Sequence, residues 1–167
     1  MVGSPQVVTL FNREKMIKLK QALKENRLSL PQPPTPVGDY LATMQTGNLL
    51  YVSGQLPIKN QTLLYKGQIG KNLSVEEGYD AAELCALNLL SQLEQNLNKK
   101  KLQRIIKIEG FINCGASFDA HAEVLNGASN LLSKLLAERA GHVRTVMGCN
   151  SLPLDAAVEL SAIVEIG

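Results

Sequence analysis

The chain has 167 residues, enough for one domain with a single core. Its 45% hydrophobic content excludes a disordered polymer, and no apolar run approaches the roughly 18 residues that a membrane span needs. Seventeen basic residues against fifteen acidic ones leave a net charge of +2, too little to argue a nucleic-acid or anionic-membrane surface.

No apolar core followed by a small-residue cleavage site opens the chain, so no secretory signal is expected. Met1 to Gln21 holds one acid, Glu14, which leaves a mitochondrial address open beside the cytoplasmic one. Cys85, Cys114 and Cys149 are odd in number and form no CxxC pair. They suit a reducing compartment, and each reads as a small buried apolar residue. With His121 and His142 the only histidines, no metal site is expected.

Phe11 to Asn26 reads as a basic amphipathic helix, with Met16, Leu19 and Leu23 on one face. Leu30 to Pro36 carries four prolines and makes a stiff connector. Residues 1–35 are thus an N-terminal helical extension and Pro-rich connector, and 36–167 the main domain. Tyr40–Thr46 and Leu49–Ser53 are expected antiparallel strands, joined by a turn at Gly47-Asn48. Tyr40 reads equally as a core aromatic, and Ser53 as a hydroxyl bonding its own backbone. Gly54 lets a backbone approach a ligand closely. Lys59 to Asn72 is an excursion with a short strand near Leu63–Tyr65.

Ser74-Val75-Glu76-Glu77 is a capping box, followed at helical spacing by Ala82, Ala86, Leu89, Leu90, Leu93 and Leu97. That helix should end near Asn98, before the solvated run Lys99-Lys100-Lys101. Ile105–Asn113 reads as a strand and Phe118–Glu138 as a second long helix, with Gly141 its C-cap. Asn126 lies on this helix, either exposed or pointing at another element.

The last quarter reads as a hairpin. One strand begins at Arg144–Met147, a turn lies at Ser151–Asp155, and Ala157–Ile166 alternates. Val158, Leu160, Ala162, Val164 and Ile166 share one face, with Glu159, Ser161, Ile163 and Glu165 on the other. Arg144 and Glu159 on neighbouring strands are either a weak cross-strand ion pair or a carboxylate clamp beside a proton-handling acid. The element order gives an α+β layer, with two long helices on one face of a mixed sheet.

Gly38-Asp39-Tyr40, Ser53-Gly54-Gln55-Leu56-Pro57, and Arg144 followed by Leu152-Pro153 and Glu159 resemble, in order and spacing, three motifs of the RidA/YjgF-like (reactive intermediate deaminase) family. The likeness covers about four-fifths of the chain and is strongest to the longer members, which carry Asn126-Gly127-Ala128-Ser129 in the second helix. It implies a chorismate-mutase-like fold, a homotrimer, and ligand clefts between subunits. It further implies hydrolytic deamination of enamines and imines to 2-keto acids and ammonia, with no cofactor. Arg144 would clamp the substrate carboxylate and Glu159 would handle water, as the catalytic pair. Tyr40, Ser53, Gly54, Asn126 and Val146 would line the cleft. Many deaminating members have Cys at the position of Val146. Valine serves there if the backbone N–H is what acts, and does not if a thiol is needed. Two alternatives stand beside this reading: endoribonuclease activity, poorly supported by 4% aromatics, and a non-catalytic binder of small carboxylates. Glu159 separates the latter from an enzyme, since a binder needs no water-handling acid.

Overall fold

The computed structural model describes residues 21–34, 38–97 and 101–167. Residues 21–25 are helical and Asn26 is in a turn; residues 11–20 of the expected N-terminal helix, and Lys99-Lys100, lie outside the described residues. Seven strands follow: β1 (Thr43–Thr46), β2 (Leu49–Gln55), β3 (Ile58–Lys59), β4 (Thr62–Leu63), β5 (Leu102–Asn113), β6 (Val143–Cys149) and β7 (Val158–Ile166). Two helices, α1 (Val75–Asn96) and α2 (His121–Leu136), complete the layer.

The main sheet has the order β1-β2-β7-β5-β6. β7 pairs antiparallel with both β2 and β5, and β6 runs parallel to β5. The sheet is therefore mixed. The expected hairpin of the last two strands does not form: β6 and β7 are sequence neighbours, but β5 lies between them. Adjacent parallel strands need a crossover, and α2 supplies it between β5 and β6. The loop before β7 then carries the chain across the end of β5. Leu154 and Asp155 take positive φ there, a conformation uncommon for residues other than glycine.

Local signals explain most of the elements. Gly47 takes positive φ in the β1–β2 turn. Asn60 and Gln61 both do so between β3 and β4, which is the demand of a tight two-residue hairpin. Ser74 Oγ accepts from Glu77 N–H at 3.1 Å, and Glu77 Oε2 accepts from Ser74 N–H at 2.7 Å, so the capping box forms as expected. At the end of α2 the expected Gly141 cap is not used. Ala137 takes the positive φ instead, and a short 3-10 turn runs to Ala140.

The core lies between the helices and one face of the sheet. Ile105, Ile108 and Ile112 of β5 and Val158, Leu160 and Val164 of β7 are buried against Leu89, Leu90, Leu125 and Leu132. Two glycines let α2 press onto the sheet. A Cβ at Gly110 of β5 would run into Leu125, and one at Gly148 of β6 into His121 and Cys114. A third glycine brings the helices together, since a Cβ at Gly127 would overlap the Tyr79 carbonyl of α1. The connector is tied down as well: Ser91 Oγ donates to Pro31 O, and Gln92 Nε2 to Pro34 O at 2.8 Å.

Candidate functional site

Arg144 stands on the edge strand. Its register partner is Ile108, which faces the core, so its side chain leaves on the helix side. There it meets α2. Nη1 donates to Asn126 Oδ1 at 2.9 Å and to Ser129 Oγ at 3.1 Å, and Nη2 to the Ala122 carbonyl at 3.4 Å. Every acceptor is a neutral oxygen. Among the described residues no carboxylate lies within salt-bridge distance of Arg144. Of the five guanidinium N–H donors, the Nε hydrogen and one Nη2 hydrogen remain for a ligand. A guanidinium fixed in this way is a receptor for an anion, and a planar carboxylate matches its fork.

Val146 follows on the same strand, half-buried, with its side chain packed on the core. Cys149 turns its carbonyl toward β5, accepting from Cys114 N–H. By the alternation of backbone direction along a strand, Val146 presents its N–H at the open edge.

Glu159 occupies a different place. In β7 it belongs to the half-buried set that alternates with the core residues, on the sheet face away from the helices. It lines a small cleft of about 70 Å³ with Tyr40, Ser53, Gly54, Gln55 and Pro153. Burial raises the Glu159 pKa above the ordinary glutamate value, because the low-dielectric surroundings disfavour the charged form. No Lys or Arg among the described residues pairs with it. Gly54 leaves room for it, since a Cβ there would displace the carboxylate from its present position. The bulge between Val52 and Gln55 forms this corner. Ser53 Oγ donates to the Leu41 carbonyl at 2.7 Å, which ties down the segment leading into β1. Tyr40 is 50% exposed and is not a core aromatic.

The expected residues therefore form two groups: Arg144, Asn126 and Val146 on the helix side of the edge, and Tyr40, Ser53, Gly54 and Glu159 around the β2 bulge. Arg144 aligns with Ile108, and Glu159 with Phe111, on the shared neighbour β5. Strand spacing and rise then set their Cα atoms about 14 Å apart, on opposite faces. The cross-strand ion pair does not form. Ser129 and His142, to which the sequence reading gives no role, also join the Arg144 group. Ser129 lies three residues after Asn126, hence on the same helix face, and that spacing was the available signal. Among the described residues no group of three His, Cys, Asp or Glu side chains gathers to hold a metal ion, and no helix is long and apolar enough to cross a membrane.

A family model described as "YjgF/chorismate mutase-like, putative endoribonuclease" matches residues 20–166. Protein TCP17 of Trypanosoma cruzi is 38% identical over 141 residues, covering 83% of this chain and 88% of its own. The 2-iminobutanoate/2-iminopropanoate deaminase of Dermatophagoides farinae is 27% identical over 140 residues, covering 83% and 94%. A crystal structure of a protein of unknown function from Agrobacterium tumefaciens superposes with a TM-score of 0.88 at 38% identity, covering 95% and 99%.

Proposed function

Because this chain belongs to the YjgF/chorismate mutase-like family, we propose that it hydrolyses reactive enamine and imine intermediates to 2-keto acids and ammonia. The observation that carries the reading is Arg144: a guanidinium held by three neutral oxygens, with donors left over and no carboxylate partner among the described residues. The desolvated, cation-free Glu159 supplies the second half of the chemistry. The resemblance of the chain to an imine deaminase supports the substrate class.

The two groups serve one ligand only when a second copy of the chain brings its bulge corner against the first copy's edge strand. The proposed assembly is a homotrimer with three such clefts. An enamine first tautomerises to the imine. The carboxylate of the 2-imino acid docks on the free Arg144 donors, which fixes C2 and its nitrogen. Glu159 takes a proton from water as the oxygen attacks C2, giving a tetrahedral carbinolamine. It passes that proton to the nitrogen to complete the carbinolamine, then takes the hydroxyl proton and delivers it to the amino group as the C–N bond breaks, so that ammonia leaves and the oxygen closes to the keto carbonyl. One water enters and one ammonia departs. Val146 offers a backbone N–H near the carboxylate, so a thiol at this position is dispensable in this scheme.

The test is a coupled assay on 2-iminobutanoate generated in place. The wild type is expected to speed keto-acid release. Arg144→Ala should lose binding first. Glu159→Gln should keep ligand affinity and lose about 10²- to 10⁴-fold in kcat. A wild type that leaves imine decay at the buffer rate overturns the reading.

A further inference from the structure

Ser129 has a second partner besides Arg144. Its Oγ lies 3.1 Å from His142 Nε2, and the other ring nitrogen, Nδ1, bonds the Ala140 carbonyl. A carbonyl only accepts, so Nδ1 carries the hydrogen and Nε2 of the neutral ring is an acceptor. Ser129 must then donate its hydroxyl hydrogen to His142, which turns the Oγ lone pairs toward Arg144 Nη1. The three side chains form one directional chain, from guanidinium to hydroxyl to imidazole to backbone carbonyl. It joins α2, the turn after it and β6.

We propose that Ser129 and His142 are positioning residues for Arg144. His142 fixes the direction of the Ser129 hydroxyl, and Ser129 with Asn126 occupies both Nη1 hydrogens, so that a carboxylate is received only on the Nε/Nη2 donors. This rests on the carboxylate-clamp reading of Arg144 and names residues that the three sequence motifs leave without a role. Without the imidazole the hydroxyl is free to donate elsewhere, and Arg144 loses its fixed acceptor. His142 thus acts through Ser129 and touches no ligand.

That dependence is measurable as non-additivity. In titrations with 2-oxobutyrate, Ser129→Ala and His142→Leu should each weaken binding about 10-fold, the range for a hydrogen bond to a charged group. The double variant should be no weaker than either single one. Ser129→Thr keeps the hydroxyl, and His142→Gln keeps an acceptor at the Nε2 position, so both should restore most of the affinity. Binding unchanged in both single variants, or losses that multiply to about 100-fold in the double variant, would overturn the proposal. A wild type that binds no keto acid overturns the clamp reading instead. The Arg144 Nε–H order parameter from nitrogen-15 relaxation then decides the positioning role. It should fall in Ser129→Ala and His142→Leu, and no change in either would refute that role.

Discussion

Glu159 illustrates how burial alone sets chemistry at one residue. Its native pKa is raised by desolvation, so the folded chain binds this proton more tightly than the unfolded one. Stability from this group is therefore lost as pH rises from the ordinary glutamate value through the raised native one, and is restored below both. Glu159→Gln keeps the shape and removes the ionisation. Thermal melts should show the variant more stable than wild type at pH 8 and level with it near pH 4. A gap of the same size at every pH would assign the effect to packing. Arg144 and Glu159 stand out in the sequence as charges on the last two strands, and Asn126 only through the family resemblance. Neither signal selects His142, whose role appears only through the hydrogen it leaves Ser129 to supply.

At the scale of elements, period-2 alternation identifies β7 and its faces but not the neighbour of β6, which is β5 and not β7. Alternation reports which side a residue faces, not which strand lies beside it. The better signal was topological: a strand, a helix and a strand in succession favour a parallel crossover. α1 and α2 were legible because apolar spacing is local, and α1 through its capping box as well. Their contact was not, since it depends on Gly127 lying against the Tyr79 carbonyl. Gly127→Ala should force the helix backbones apart and destabilise the fold by about 1–3 kcal/mol in urea unfolding. Gly115→Ala is the matched control. Its Cβ meets nothing within 4 Å, so the change should stay within about 0.5 kcal/mol. Equal effects at the two sites would refute the close-packing account of Gly127.

For the whole molecule, the unpaired sheet face is the dominant fact. Tyr51 pairs in register with Ile163, and Phe111 with Glu159 and Met147, on the side the helices do not cover. Tyr51 and Met147 are 43% and 47% exposed. An apolar face of this kind asks for a partner. A homotrimer is expected by light scattering at micromolar concentration. Ile163→Asp, at the middle of the face, should yield a folded monomer without imine hydrolysis, because each cleft then lacks its second half. A wild-type mass equal to one chain, or an active Ile163→Asp monomer, would exclude the composite cleft. The fold class could be read from the sequence because element order limits it; the division of the site into two halves could not, because it follows from strand order.

The central place of β7 also has a consequence for how the chain is made. Synthesis delivers β1 and β2, then α1, β5, α2 and β6, and only afterwards the strand that joins β2 to β5. Until residue 166 is available, β2 and β5 of a nascent chain each present an open strand edge that waits for the same late partner. Those edges are open to strangers in the interval. The sheet closes in one late step of long sequence separation, which slows folding. An interruption anywhere before Val158 therefore yields not a smaller version of this protein but an unclosed sheet, a natural client for chaperones.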